Sequence, residues 1–487
     1  MAPKQFSRVY IDRVLDPAFQ NWKTHFGEAS LRVHKAHLCM LDETRIVEES
    51  VAARIARGIA RLEQGFVPPA RIPQGVEDLY FLFEQALGET EGDEEAAWLH
   101  TARSRNDMDT TVFRLVLRER FYRLIEKLGG LLRAMKTRCE VGNAELTVLF
   151  THGQPANPST TAHYLSAFLM DLLEDAERML RALSDADRST MGACAITGTG
   201  FPIDRARVSH LLGFENYIIN TYQAISTSHW LVSCARSLQG LMIDVGRFTA
   251  DLLHKASSEV GLYRFPDELV QISSIMPQKR NPVILEHIRI QAEMVAGASE
   301  SVVNAFRNVP YQDVNEDADL IISKFLETIG ESSSVLELLE EATTKMIADT
   351  SRAREICAQF GVTTTELADS LVRMFGIGFR VAHRICSEFV SAGYELKSLR
   401  QAFLRETGQE LNISDQEIEG LLSPETFVRV RATCGGPASD GMREVYLAAE
   451  RELRTIDGEL NARAKRWRDA DEELDRCFAS LLARLRA

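Results

Sequence analysis

The run Trp230-Leu-Val-Ser-Cys234-Ala-Arg-Ser-Leu238-Gln-Gly-Leu241-Met-Ile-Asp-Val245-Gly-Arg-Phe248-Thr-Ala-Asp-Leu252 places large apolar residues at steps of four, four, three, four, three and four. That spacing puts them on one narrow face of a helix. Leu285, Ile288, Ala292, Val295, Ser299, Val302 and Phe306 repeat the pattern. Val112, Leu115, Leu124, Leu128 and Leu131 share a face, as do Leu165, Phe168, Leu172, Ala176 and Leu183. Such stripes are packing seams rather than ligand boxes. No sustained two-residue alternation competes with them, so the expected fold is all-α. Helices well beyond the usual mean of about 11–12 residues need more cover than one thin domain supplies, which predicts an oligomeric bundle.

Composition narrows the partners. Charged residues make up 26% and hydrophobic residues 45% of the 487 residues, ordinary for a globular protein. A formal charge of −14 argues against nucleic acid or an anionic membrane as partner. An anionic small substrate would need a local basic pocket. The eight cysteines are scattered with no Cys-x-x-Cys pair, which predicts reduced thiols, no zinc site and a cytoplasmic protein. Met-Ala-Pro-Lys-Gln-Phe carries no apolar signal segment, and no run approaches the roughly 18 apolar residues of a membrane span.

Three polar islands interrupt the helical patterns. His100-Thr-Ala-Arg-Ser-Arg-Asn-Asp107 carries two arginines, two hydroxyls and an amide. It reads either as a solvated helix cap or as a carboxylate clamp with Arg105 as bidentate donor. Phe150-Thr-His-Gly-Gln-Pro155 holds a lone histidine, more often structural than catalytic on residue type alone. Gln271-Ile-Ser-Ser-Ile-Met-Pro-Gln-Lys-Arg-Asn281 precedes a helical pattern from about Val283, so it is a polar loop feeding a helix N-terminus, where anions are favoured. The Gly-rich Met191–Phe201 stretch lacks the strand and the Gly-Lys-Ser/Thr of a phosphate loop, and it reads as close backbone packing.

The three islands together resemble the argininosuccinate lyase branch of the fumarase/aspartase superfamily. Ser-Ser-Ile-Met-Pro-Gln-Lys-Arg-Asn-Pro is similar to its signature loop, with Gln278 typical of the branch and Ile272 standing where the family usually has glycine. The His-Thr-x-Arg-Ser-Arg-Asn-Asp and Thr-His-x-Gln blocks match as well. Thr-Thr-Glu-Leu-Ala-Asp-x-Leu-Val-Arg and the later Gly-Gly-Pro resemble the branch's C-terminal domain, which differs from that of fumarases. The resemblance implies a fumarase/aspartase-like homotetramer, with a long central helix bundle flanked by smaller helical domains. The expected divisions are residues 1–108, 109–360 and 361–487. It implies no cofactor and no metal, with a small dicarboxylate and further copies of the chain as partners.

Such enzymes eliminate an amine from a succinyl group and release fumarate. The proton lost lies on carbon beside a carboxylate, so its removal builds a doubly charged aci-carboxylate that preorganised donors must hold. The resemblance implies Ser273 as base, Lys279 and Asn281 as charge stabilisers, and a His152–Glu286 pair across subunits. It implies substrate contacts from Ser30, Ser104, Arg105, Asn106, Thr151 and Gln278. The family's Tyr-x-x-x-x-Gln-x-x-Lys segment, which meets the amine, falls on Pro310, Asn315 and Ala318, with Tyr311 offset by one. Loss of that lysine removes a partner for an amino-acid carboxylate. The expectation is an N-substituted aspartate other than argininosuccinate, of which ethylenediamine-disuccinate is an example. Argininosuccinate itself, adenylosuccinate chemistry and a non-catalytic crystallin-like role are the alternatives.

Overall fold

The structure is a computed structural model that describes residues 5–314 and 319–485. Eight helices carry the architecture: α1 Gly27–Glu43, α2 Glu49–Gly65, α3 Arg105–Gly142, α4 Thr161–Ala186, α5 His229–Ala256, α6 Val283–Ala305, α7 Asp319–Lys345 and α8 Ser439–Ala483. Helices α3 to α7 form the long bundle, in which α5 packs most extensively on α6 and α3 on α4. The stripes described above are its interior: Trp230, Cys234, Leu238, Leu241, Val245 and Leu252 are buried, and so are Leu285, Ile288, Ala292 and Val295. Gly129 and Gly130 do not interrupt α3, because apolar neighbours on both sides of them are buried in the bundle and packing outweighs propensity.

One hydrophobic core runs continuously from Leu15 through the bundle and includes Leu453, Ile456, Leu474 and Leu481 of α8. The last helix thus returns to the bundle, packing on α4, α2, α3 and α1. A second, smaller core joins Leu367, Leu371, Ile385, Phe389, Leu399, Phe403 and Ile418.

The all-α expectation holds, with four short two-stranded ladders added among the described residues. The largest is a hairpin of β1 Leu146–Thr151 and β2 Gln154–Thr160, with a register shift at Leu149/Phe150. Its alternation is masked because Leu146, Thr147 and Val148 are all buried, so no polar face alternates with an apolar one.

A charged group fixes the α3–α4–α8 junction. Arg118 is fully buried; it donates to Asp187 at 2.9 Å and to the Leu212 carbonyl at 2.7 Å, between the rings of Phe214 and Trp467. Arg466 of α8 also pairs with Asp187. Asp187→Ala would leave a buried guanidinium without its anion, an expected loss of about 3–5 kcal/mol. A fall in the thermal midpoint of the variant measures it.

Candidate active site

The signature loop forms a tight finger at one end of the bundle. β3 Gln271–Ile272 pairs antiparallel with β4 Arg280–Asn281, and Ser273 N–H donates to the Lys279 carbonyl at 3.3 Å. The Ser273 hydroxyl oxygen lies inside the turn and accepts the N–H groups of Met276 at 3.0 Å and Ile275 at 3.3 Å. Two backbone dipoles aimed at one oxygen favour its anionic form. Ile272 sits in the extended β3 pair, with no positive φ, so the backbone there does not require glycine. Arg280 anchors the finger to Asp267 and to the Phe265 carbonyl. Ile275 and Met276 are exposed at its tip.

Thr151 and His152 lie at the tip of the β1–β2 hairpin. His152 (φ 54°) and Gly153 (φ 72°) are the two linking residues, the left-handed pair that a two-residue hairpin needs. The hairpin rests on the end of α5, where Phe150 meets the His254 ring edge-on at 5.4 Å and Lys255 Nζ lies 4.6 Å from the Phe150 ring centre. Glu286 is exposed in the first turn of α6. Among the described residues, the side chains of His152, Gln278, Lys279 and Glu286 make no hydrogen bond or ion pair within the chain.

Ser104, Arg105 and Asn106 occupy the opposite end. Ser104 caps α3 in a reciprocal box with Asp107. Near this end Arg114 donates to the Asp185 carbonyl of α4 and stacks on Trp230 of α5. Asn106 Nδ2 donates to Asp313 at 2.9 Å and to the Ala195 carbonyl at 3.3 Å. Tyr311 lies beside them, its carbonyl accepting from the Tyr222 hydroxyl. Asn315 falls outside the described residues. Helix α5 alone separates the two groups by 28 residues, on the order of 40 Å at about 1.5 Å per residue. No succinyl compound bridges that span, so one chain does not bring its predicted site residues together.

Two expected substrate contacts look different in the structure. Arg105 does not form a free fork: its terminal nitrogens pair with Asp78 at 2.6 Å and Glu77 at 3.3 Å, above the Phe81 ring. Ser30 is 3% exposed and its hydroxyl donates to the Phe26 carbonyl at 2.9 Å, the back-bond that a mid-helix serine makes when it is buried.

The family described as Lyase matches residues 24–297, and the Argininosuccinate lyase C-terminal family matches 361–429. Argininosuccinate lyase 2 of Agrobacterium fabrum is 37% identical, covering 97% of this chain and 96% of its own. The chain belongs to the argininosuccinate lyase family. Within the fumarase/aspartase superfamily, this makes it a fumarate-releasing carbon–nitrogen lyase. Argininosuccinate lyase of Methanothermobacter thermautotrophicus is 31% identical over 86% of this lyase and 91% of its own chain. Among solved structures, EDDS lyase in complex with formate matches with a TM-score of 0.85 and 25% identity, covering 96% of each chain.

In this lyase Asp107, which is not among the expected site residues, organises the start of α3. Its carboxylate accepts N–H groups from Ser104 at 2.9 Å, Gly192 at 2.8 Å and Cys194 at 2.9 Å. It thereby clamps the Gly-rich loop to the start of α3. Burial pushes its pKa up to about 6, while the three donors pull it down. The signal was present as Ser104-x-x-Asp107, a capping box. The Gly-rich partner was not legible, because it lies some eighty positions away in sequence. Asp107→Asn would turn an NH2 toward at least one of these donors. The expected cost is about 2 kcal/mol of stability, with a raised KM; thermal melting and steady-state kinetics check both.

Proposed function

We propose that this lyase is a homotetramer whose active sites combine the two ends of the bundle from different subunits. The finger with Ser273 and Lys279, the hairpin with Thr151 and His152, and the Ser104–Asn106 cap would then meet around one N-substituted aspartate. Ile243, Ile290 and Met294 support the assembly: they leave apolar surface on α5 and α6 uncovered, 47%, 50% and 63% exposed in one chain. Covering those faces would also let His152 of one subunit pair with Glu286 of another.

The observation that carries the reading is the Ser273 oxygen inside two N–H donors. Ser273, ionised to an alkoxide between those two N–H donors, takes the proton from the carbon beside the succinyl carboxylate. The bonding electrons pass into that carboxylate as an aci-carboxylate, held by Lys279, Asn281 and Gln278. They then return to form the double bond as the C–N bond breaks. The nitrogen keeps its electron pair and leaves protonated, with His152 and Glu286 relaying the proton. Ser104, Asn106 and Thr151 hold the carboxylates. Arg105, already tied to Asp78 and Glu77, positions the cap rather than binding substrate directly.

The amine is proposed to differ from arginine, because Ala318 stands where the family's lysine would meet an amino-acid carboxylate. Ethylenediamine-N,N'-disuccinate is the example we favour. The likeness to proteins named argininosuccinate lyase favours argininosuccinate as the second reading. Offering fumarate with a panel of amines and following addition by mass decides between them. Arginine as the best nucleophile by a wide margin would overturn the first reading, and no turnover with any N-succinyl amine would favour a structural role.

A further inference from the structure

Lys255, in the last turn of α5, is a buried cation that the proposed chemistry leaves unused. It is 2% exposed, and burial pulls its pKa down. Its ammonium lies 4.6 Å from the centre of the Phe150 ring and 5.1 Å from that of Tyr164; Asp251, one turn earlier, is 3.7 Å away. An apolar side chain of this length would fill the same space without the cost of desolvating a charge, so the charge asks for a reason.

The contacts around Lys255 close into a circuit that holds β1 at two points. Asp251 accepts the Tyr164 hydroxyl at 2.7 Å, and Tyr164 of α4 stacks on Tyr263 at 5.7 Å. The Tyr263 hydroxyl donates to Thr147 Oγ1 of β1 at 3.1 Å. From Thr147 the strand returns to Phe150 through the register shift at Leu149/Phe150. Such an irregularity bends a strand and re-aims the side chains beyond it, which here are Thr151 and His152. The Phe150 ring, held between the Lys255 ammonium and the His254 ring edge at 5.4 Å, fixes the direction of that bend.

We propose that Lys255 is a positioning residue: through the Phe150 ring it sets the direction in which Thr151 and His152 enter the site. The inference rests on the reading of His152 as an active-site residue. Lys255 acts from beneath the hairpin, without touching substrate.

The test is fumarate release from whichever N-succinyl amine the wild type turns over fastest. It compares Lys255→Met, Lys255→Arg, Phe150→Leu and the double variant Lys255→Met/Phe150→Leu, with His152→Asn as reference. Lys255→Met should melt no lower than the wild type, because the Asp251 side chain is 46% exposed and keeps the Tyr164 hydroxyl. It should still lose about ten-fold or more in kcat/KM, the scale of a misplaced reacting group. Lys255→Arg returns a cation to the ring face and should regain most of that loss. The double variant should be no slower than the slower single variant, since both changes break the same link. Additive losses, or a Lys255→Met rate equal to that of the wild type, would overturn the proposal. If Lys255→Met fails to fold, the proposal stands only if Phe150→Leu loses about ten-fold with unchanged melting while Lys255→Arg does not. His152→Asn at the wild-type rate would instead overturn the reading of His152, and no turnover of any N-succinyl amine would overturn both.

Discussion

Ser273→Ala should lower kcat by about 10³-fold or more, the scale of a lost general base, with substrate binding nearly unchanged. The fold should survive. Ser273 lies in an exposed finger, and among the described residues its hydroxyl accepts the N–H groups of Ile275 and Met276, both exposed residues. The β3–β4 pairing and the Arg280 anchor do not depend on it. Circular dichroism and oligomer mass should match the wild type. Residual activity within ten-fold would mean that another group takes the proton, and the paired N–H donors would then have to be explained as turn structure alone.

The second expected result is recovery of activity on mixing. Ser273→Ala and Asn106→Ala should each be nearly inactive alone, because each empties one half of the site. The halves lie at opposite ends of a 28-residue helix, so in the proposed assembly they come from different chains. Co-assembly of the two variants should then restore roughly one site in four, the random share with both halves intact in a symmetric oligomer. Dissociation and reassociation of a mixture, followed by assay, measures it. Mixed oligomers that form yet stay inactive would show that the finger and the cap do not serve the same site, and the shared-site proposal would fall.

The bundle was legible in the sequence because its seams repeat every three or four residues, and Trp230 to Leu252 is buried at every marked position. The three polar islands were equally visible, since short runs dense in hydroxyls, amides and charge do not fit a helical stripe. Their surroundings were not. The hairpin under His152 hid because both of its strands are largely enclosed or irregular, so period-two patterning never surfaced. The partners of Arg105, Glu77 and Asp78, lie nearly thirty positions earlier, outside the three polar islands. Asp313 and Tyr222 gain meaning only from their nearness to Asn106 and Tyr311, and sequence order gives no hint of it. Local chemistry is written locally, whereas the charge balance of a site is a property of what folding brings next to it.

The second, smaller core has a consequence of its own. The chain leaves the bundle after the helix Thr350–Phe360, builds an independent apolar interior between Leu367 and Ile418, and re-enters with α8. Such a cassette exchanges few buried side chains with its host. It is therefore free to drift, or to be traded between relatives, at a pace the long helices could not tolerate. The separate Argininosuccinate lyase C-terminal match over residues 361–429 coincides with this cassette, as though inheritance had respected the same seam.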